Sequence, residues 1–94
     1  MAEVRVHHRW PDGSQSRAYV PSNVVRKSLS EGQRYPLPDF VERLSSSLET
    51  ASLRVRDHFG HRCSIADADA ARLKREAAQQ DAAGEVEVTR LETL

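Results

Sequence analysis

Residues 3–10 alternate between two kinds of side chain, Val4, Val6, His8 and Trp10 on one side and Glu3, Arg5, His7 and Arg9 on the other. A period of two with β-branched residues predicts a half-buried strand. Pro11-Asp12-Gly13 follows. Proline presets φ at the first turn position, aspartate suits the second, and glycine takes the left-handed position of a three-residue hairpin loop. Residues 14–20 are then the second strand. If Trp10 opposes Ser14, Val6 faces Ala18 and Val4 faces Val20. One hairpin face collects Val4, Val6, His8, Trp10, Ser16, Ala18 and Val20, and the other carries Arg5, His7, Arg9, Arg17 and Tyr19. A one-residue slip would mix these sets, so their separation supports the register.

The period then changes. Pro21 ends the strand, and Ser22 is placed to cap a short helix over residues 22–30, with Val25 and Leu29 inward and Gly32 just past its end. Residues 33–37 read as extended, because Tyr35 and Leu37 each precede a proline. The strongest helix starts at Pro38 or Asp39, where Asp39 and Glu42 have capping-box spacing. Phe40, Leu44, Leu48, Ala51, Val55 and Phe59 form a continuous apolar stripe ending at Gly60, a natural C-terminal cap. A second helix is predicted over residues 65–80, capped by Ser64 or Asp67, with Ile65, Ala70, Leu73 and Ala77 inward. Val86 and Val88 alternate with acidic residues as a last strand, and the final residues are expected to fray.

The predicted order is β-β-α-α-α-β. It gives an α+β fold, a single small domain over residues 1–94, with a three-stranded, mainly antiparallel sheet packed on one face by two main helices. The first strand is expected in the centre, with the last strand beside it.

Composition narrows the function classes. The chain has 94 residues, with 14 Lys+Arg against 14 Asp+Glu and one cysteine, Cys63. Leu, Ile, Val and Phe supply 20 of the 94 residues, close to the range where chains stay disordered, so the core has to be thin. These values exclude a disulfide scaffold, a strongly basic nucleic-acid domain and a large enzyme with a deep pocket. No apolar run approaches the roughly 20 residues that span a bilayer. Residues 1–6 lack the apolar stretch of a secretory leader, so a cytoplasmic location is expected.

The candidate chemistry is sparse. His58, His61 and Cys63 are metal-ligand types near one helix end, but a zinc site needs three or four ligands, and the fourth would have to come from His7 or His8, which nothing in the sequence places there. The simpler reading has cationic imidazoles at a helix C-terminus and Cys63 as a small apolar residue. Cys63 as a nucleophile lacks a base, an orienting group and an oxyanion hole. The hairpin face of Arg5, His7, Arg9, Arg17 and Tyr19 is a possible binding surface, able to hold a phosphate and stack a base. Its simpler reading pairs Arg5 and Arg9 with Glu85 and Glu87 across a neighbouring strand. His8, beside Trp10, reads as a hydrogen-bonded core histidine rather than a ligand, and Tyr35-Pro36-Leu37-Pro38 as a rigid lead into the long helix. No catalytic residue, metal or cofactor is expected.

The order and spacing of Trp10-Pro11-Asp12-Gly13, Tyr19, Pro21-Ser22, Gly32, Tyr35, Asp39-Phe40-Val41, Ala51-Ser52, Val55-Arg56, Phe59-Gly60, Cys63, Val86 and Val88 resemble a family of small bacterial proteins labelled nitrogen starvation response proteins. The resemblance covers about residues 4–90. Ala18 stands where the family often has a cysteine before the tyrosine, which removes any two-thiol site with Cys63. His61 stands where a hydrophobic residue commonly follows Phe59-Gly60. The resemblance implies a role during nitrogen limitation, in the company of enzymes of nitrogen and amide metabolism, and carries no activity with it. The function expected is that of a non-enzymatic accessory protein that works with another protein. The alternative is a small ligand- or nucleic-acid-binding module using the hairpin face, with nucleic acid the less favoured ligand and no membrane. An enzyme or metal protein around His58, His61 and Cys63 ranks third.

Overall fold

The hairpin comes first in the chain. Strands β1 (Val4–Arg9) and β2 (Gln15–Val20) pair antiparallel, with Val4 opposite Val20 and Val6 opposite Ala18. The turn fixes this register locally: the Trp10 N–H donates to Ser14 O at 2.8 Å, and the Gly13 N–H donates to Trp10 O at 2.9 Å. Gly13 sits at φ 89°, which a side-chain-bearing residue rarely adopts. The structure is a computed structural model and describes residues 3–94. Met1 and Ala2, the first residues of the stretch read for a leader, lie outside the described residues.

The sheet has four strands, not the three expected, in the order β2-β1-β4-β3. Strand β3 (Arg34–Pro36) is the extended stretch before the long helix, and β4 (Glu85–Thr93) lies between it and β1. All three pairings are antiparallel, and β1 has β4 beside it. Because β3 is three residues long and contributes only half-buried Tyr35, no alternation marks it in the sequence. β4 also runs through Thr93 rather than fraying after Val88. A bulge opposite His7 and His8 leaves Thr89 without a partner, so the next inward residue after Val88 is Leu91 and the period of two breaks.

Among the described residues there are two α-helices, not three. The segment expected as a first helix is a single 3-10 turn over Asn23–Lys27. Ser22 Oγ accepts from the Val24 N–H at 3.3 Å. The Ser28 and Leu29 N–H groups both donate to Val25 O, and Val25 and Leu29 are buried. Helix α1 (Leu37–Phe59) is capped by Pro36 without any side-chain bond, so the capping box expected of Asp39 and Glu42 does not form. Asp39 instead accepts from Arg43 Nε one turn on, at 2.9 Å. Gly60, at φ 80°, closes the helix with its N–H on Arg56 O. Helix α2 (Ser64–Ala77) follows, with Cys63 at its N-cap in place of Ser64 or Asp67. None of the described helices is long and apolar enough to cross a membrane.

One core gathers the inward residues of both hairpin strands, Val86, Val88 and Leu91 of β4, Phe40, Leu44, Leu48 and Ala51 of α1, and Ala66 and Leu73 of α2. Three residues expected in this core lie outside it, and the first, Val55, is half-buried. Phe59 is 63% exposed, and Ile65 is 59% exposed. His8 sits inside the core at 1% exposure, with its ring 4.9 Å from those of both Trp10 and Phe40; contrary to expectation it is held by aromatic packing, with no hydrogen-bond partner at either nitrogen among the described residues. Burial pushes its pKa down to about 4, so His8 is a neutral aromatic spacer at neutral pH.

Candidate functional site

Alternation along β1 and β2 brings Arg5, His7, Arg9, Arg17 and Tyr19 together on the sheet face away from the core. Their charges meet β4, though not as the sequence suggested. Arg9 pairs with Glu87 at 2.9 Å. Arg5 does not reach Glu85, which lies opposite Pro36 of β3. It meets Glu92 at 3.5 Å instead, because the bulge shifts the outward positions of β4 to Arg90 and Glu92. Glu92 also accepts from His7 Nε2 at 2.9 Å and lies 3.8 Å from Arg90. The His7 contact, with Arg90 and Arg5 adding to it against the cost of burial, holds the Glu92 carboxyl below its usual range. Arg17 is exposed, and its guanidinium has no carboxylate partner among the described residues.

Helix α2 forms a wall beside this face, a partner for the hairpin that its sequence does not announce. Asp69 accepts the outward Tyr19 N–H at 2.7 Å. Arg72 donates to the Arg17 carbonyl and to Ser16 Oγ, and it pairs with Asp69 at 3.2 Å and Glu76 at 3.0 Å. Glu76 in turn accepts from the Trp10 indole N–H at 2.9 Å. Burial would raise the Glu76 carboxyl, but hydrogen bonding with Ser16, Trp10 and Arg72 outweighs it and keeps the group ionised. Burial, reinforced by hydrogen bonding with Glu3 and its charge, pushes the Tyr19 hydroxyl up to about 12. Sheet face and wall enclose an open groove of about 720 Å³.

His58 and His61 are exposed, while Cys63 is partly buried against the core with its N–H donating to Ser52 Oγ at 3.2 Å. Among the described residues no group of three or more His, Cys, Asp or Glu side chains is placed to hold a metal ion. The structure therefore does not assemble His58, His61 and Cys63 into one site.

The turn that carries these residues is held from within by Arg62. Its guanidinium donates to both Glu49 oxygens, at 3.1 and 2.7 Å, and to both Asp67 oxygens, at 3.0 and 2.9 Å. Asp67 also accepts from Ser52 Oγ at 3.0 Å. The Arg62 hydrogen bonds hold the Asp67 and Glu49 carboxyls below their usual range. This double fork ties the start of α2 to the side of α1. Phe59, the last residue of α1, and Ile65, the second of α2, flank this braced turn and face solvent. Arg56, His58 and His61 lie around them, also exposed. Periodicity assigned Phe59 and Ile65 to the core, and the only hint of exposure was the extra length of the α1 stripe.

A family model described as nitrogen starvation-induced protein NitG matches residues 5–91. No curated protein and no solved structure matches the chain.

Proposed function

The chain belongs to the NitG family of nitrogen starvation-induced proteins, and from that membership we propose a non-enzymatic accessory domain that docks onto another protein in the response to nitrogen limitation. The observation that carries this reading is the pair of large apolar side chains, Phe59 at 63% and Ile65 at 59% exposure, on the one turn that Arg62 braces. Exposed apolar residues held on a rigid frame lose little conformational entropy when a partner covers them. Arg54, Arg56 and Arg62 balance Glu49, Asp57 and Asp67 at this end, so the exposed apolar pair, not a net charge, is what it offers a partner. The partner surface that fits is an apolar pocket.

The test compares the wild-type protein with a Phe59→Ser/Ile65→Ser variant as bait in extracts of nitrogen-starved cells, followed by binding to the purified partner. A single partner bound by the wild type and weakened about tenfold or more by the variant supports the reading. Equal retention by both proteins overturns it. Sedimentation of the purified chain at high concentration covers the other occupant: a dimer abolished by the same substitutions would make the corner a self-association surface.

A further inference from the structure

The groove beside α2 has charges that do not balance locally. Its helix wall is satisfied internally, because Asp69 is taken up by Tyr19 N–H and Arg72, and Glu76 by Trp10 and Arg72. On the strand side one carboxylate, Glu92, serves Arg5, His7 and Arg90 together. Arg17 has no carboxylate at all among the described residues. In the hairpin register Arg17 stands opposite His7 and diagonal to Arg5. Diagonal cross-strand neighbours lie about 7–8 Å apart, a gap that two long guanidinium side chains close around one tetrahedral oxyanion.

We propose that this groove binds the phosphate group of a small phosphate monoester, with Arg17 and Arg5 as its main ligands. The groove volume of about 720 Å³ suits a small molecule. A polynucleotide fits less well, because it needs a basic track that continues along the backbone. Here the next cation along β1, Arg9, is already paired with Glu87 at 2.9 Å. This site is independent of the Phe59–Ile65 corner.

The full chain, labelled with ¹⁵N, is titrated with ribose 5-phosphate, with inorganic phosphate, with citrate and with a decauridylate. Saturable amide shifts centred on Arg5, His7 and Arg17 are expected, with a dissociation constant of about 1 mM for the sugar phosphate. Arg17→Gln should weaken binding about five- to tenfold. Glu92→Gln, which frees Arg5 and His7 from their shared carboxylate, should tighten it about two- to fivefold. Arg75→Gln removes the same charge from an exposed position on α2 and should leave binding unchanged. The amide spectrum reports that each variant is folded. No saturation up to about 20 mM overturns the proposal, as does equal weakening by Arg75→Gln. Citrate binding as tightly as the ester would overturn the phosphate assignment. A decauridylate preferred more than about tenfold would return the face to nucleic acid.

Discussion

The two halves of α1 carry the same apolar spacing and live in different environments. Phe40, Leu44, Leu48 and Ala51 are buried beneath the sheet, while Val55 is half-buried and Phe59 stands in solvent. The reason is length. Twenty-three helical residues extend about 35 Å, whereas the six-residue strands β1 and β2 reach about 20 Å and the nine-residue β4 about 30 Å. The helix therefore overruns the surface that would cover it. Periodicity identifies which face of a helix is apolar, but only tertiary structure decides where along the helix that face is covered. The same residue type thus serves the fold at one end of α1 and stands in solvent at the other.

The largest test of this contrast is Phe40→Ala, which should cost about 3–5 kcal/mol and shift the urea midpoint far enough to leave much of the protein unfolded. A midpoint change under about 1 kcal/mol would mean that the first half of α1 is no better covered than the second. His8, wedged against Phe40, sharpens the contrast through pH. Its folded-state pKa is lowered to about 4 from 6.5, so between those values the unfolded chain binds the extra proton. Its contribution is full above pH 6.5 and is lost as pH falls towards 4, a loss of about 3 kcal/mol. His8→Phe should flatten the stability profile in that window and leave the carboxylate-driven loss at lower pH in place. An unchanged slope in urea titrations at pH 4.5 and 7 would rule out His8 as its source. The smallest expected effect is Phe59→Ser, which should leave the midpoint within about 0.5 kcal/mol of the wild type.

Local features were readable in the sequence, and nonlocal ones were not. The hairpin register follows from Pro11-Asp12-Gly13, because a turn of this type leaves its flanking residues one way to pair. Val25 and Leu29 reach the core as their positions imply, although the segment is only a 3-10 turn. β3 escaped because its status rests on pairing with β4, some 50 residues later in the chain. The site shows the same division. Arg5, His7, Arg9, Arg17 and Tyr19 share one face, as period-two alternation requires. Their counter-charge did not follow from alternation, because the bulge at His7 and His8 hands Arg5 to Glu92 rather than Glu85. The α2 wall was invisible for another reason: Asp69, Arg72 and Glu76 read as the solvated side of an amphipathic helix until the fold lays them along β2.

That wall also governs how the protein behaves in a crowded solution. β2 is an outer strand, and the backbone groups of Tyr19 and Arg17 that would accept an incoming strand are already bound by Asp69 and Arg72. The opposite edge, β3, is three residues long and ends in Pro36, which has no N–H to offer. Both margins of the sheet thus resist templated strand addition, the usual route from a thin-cored β protein to fibrils.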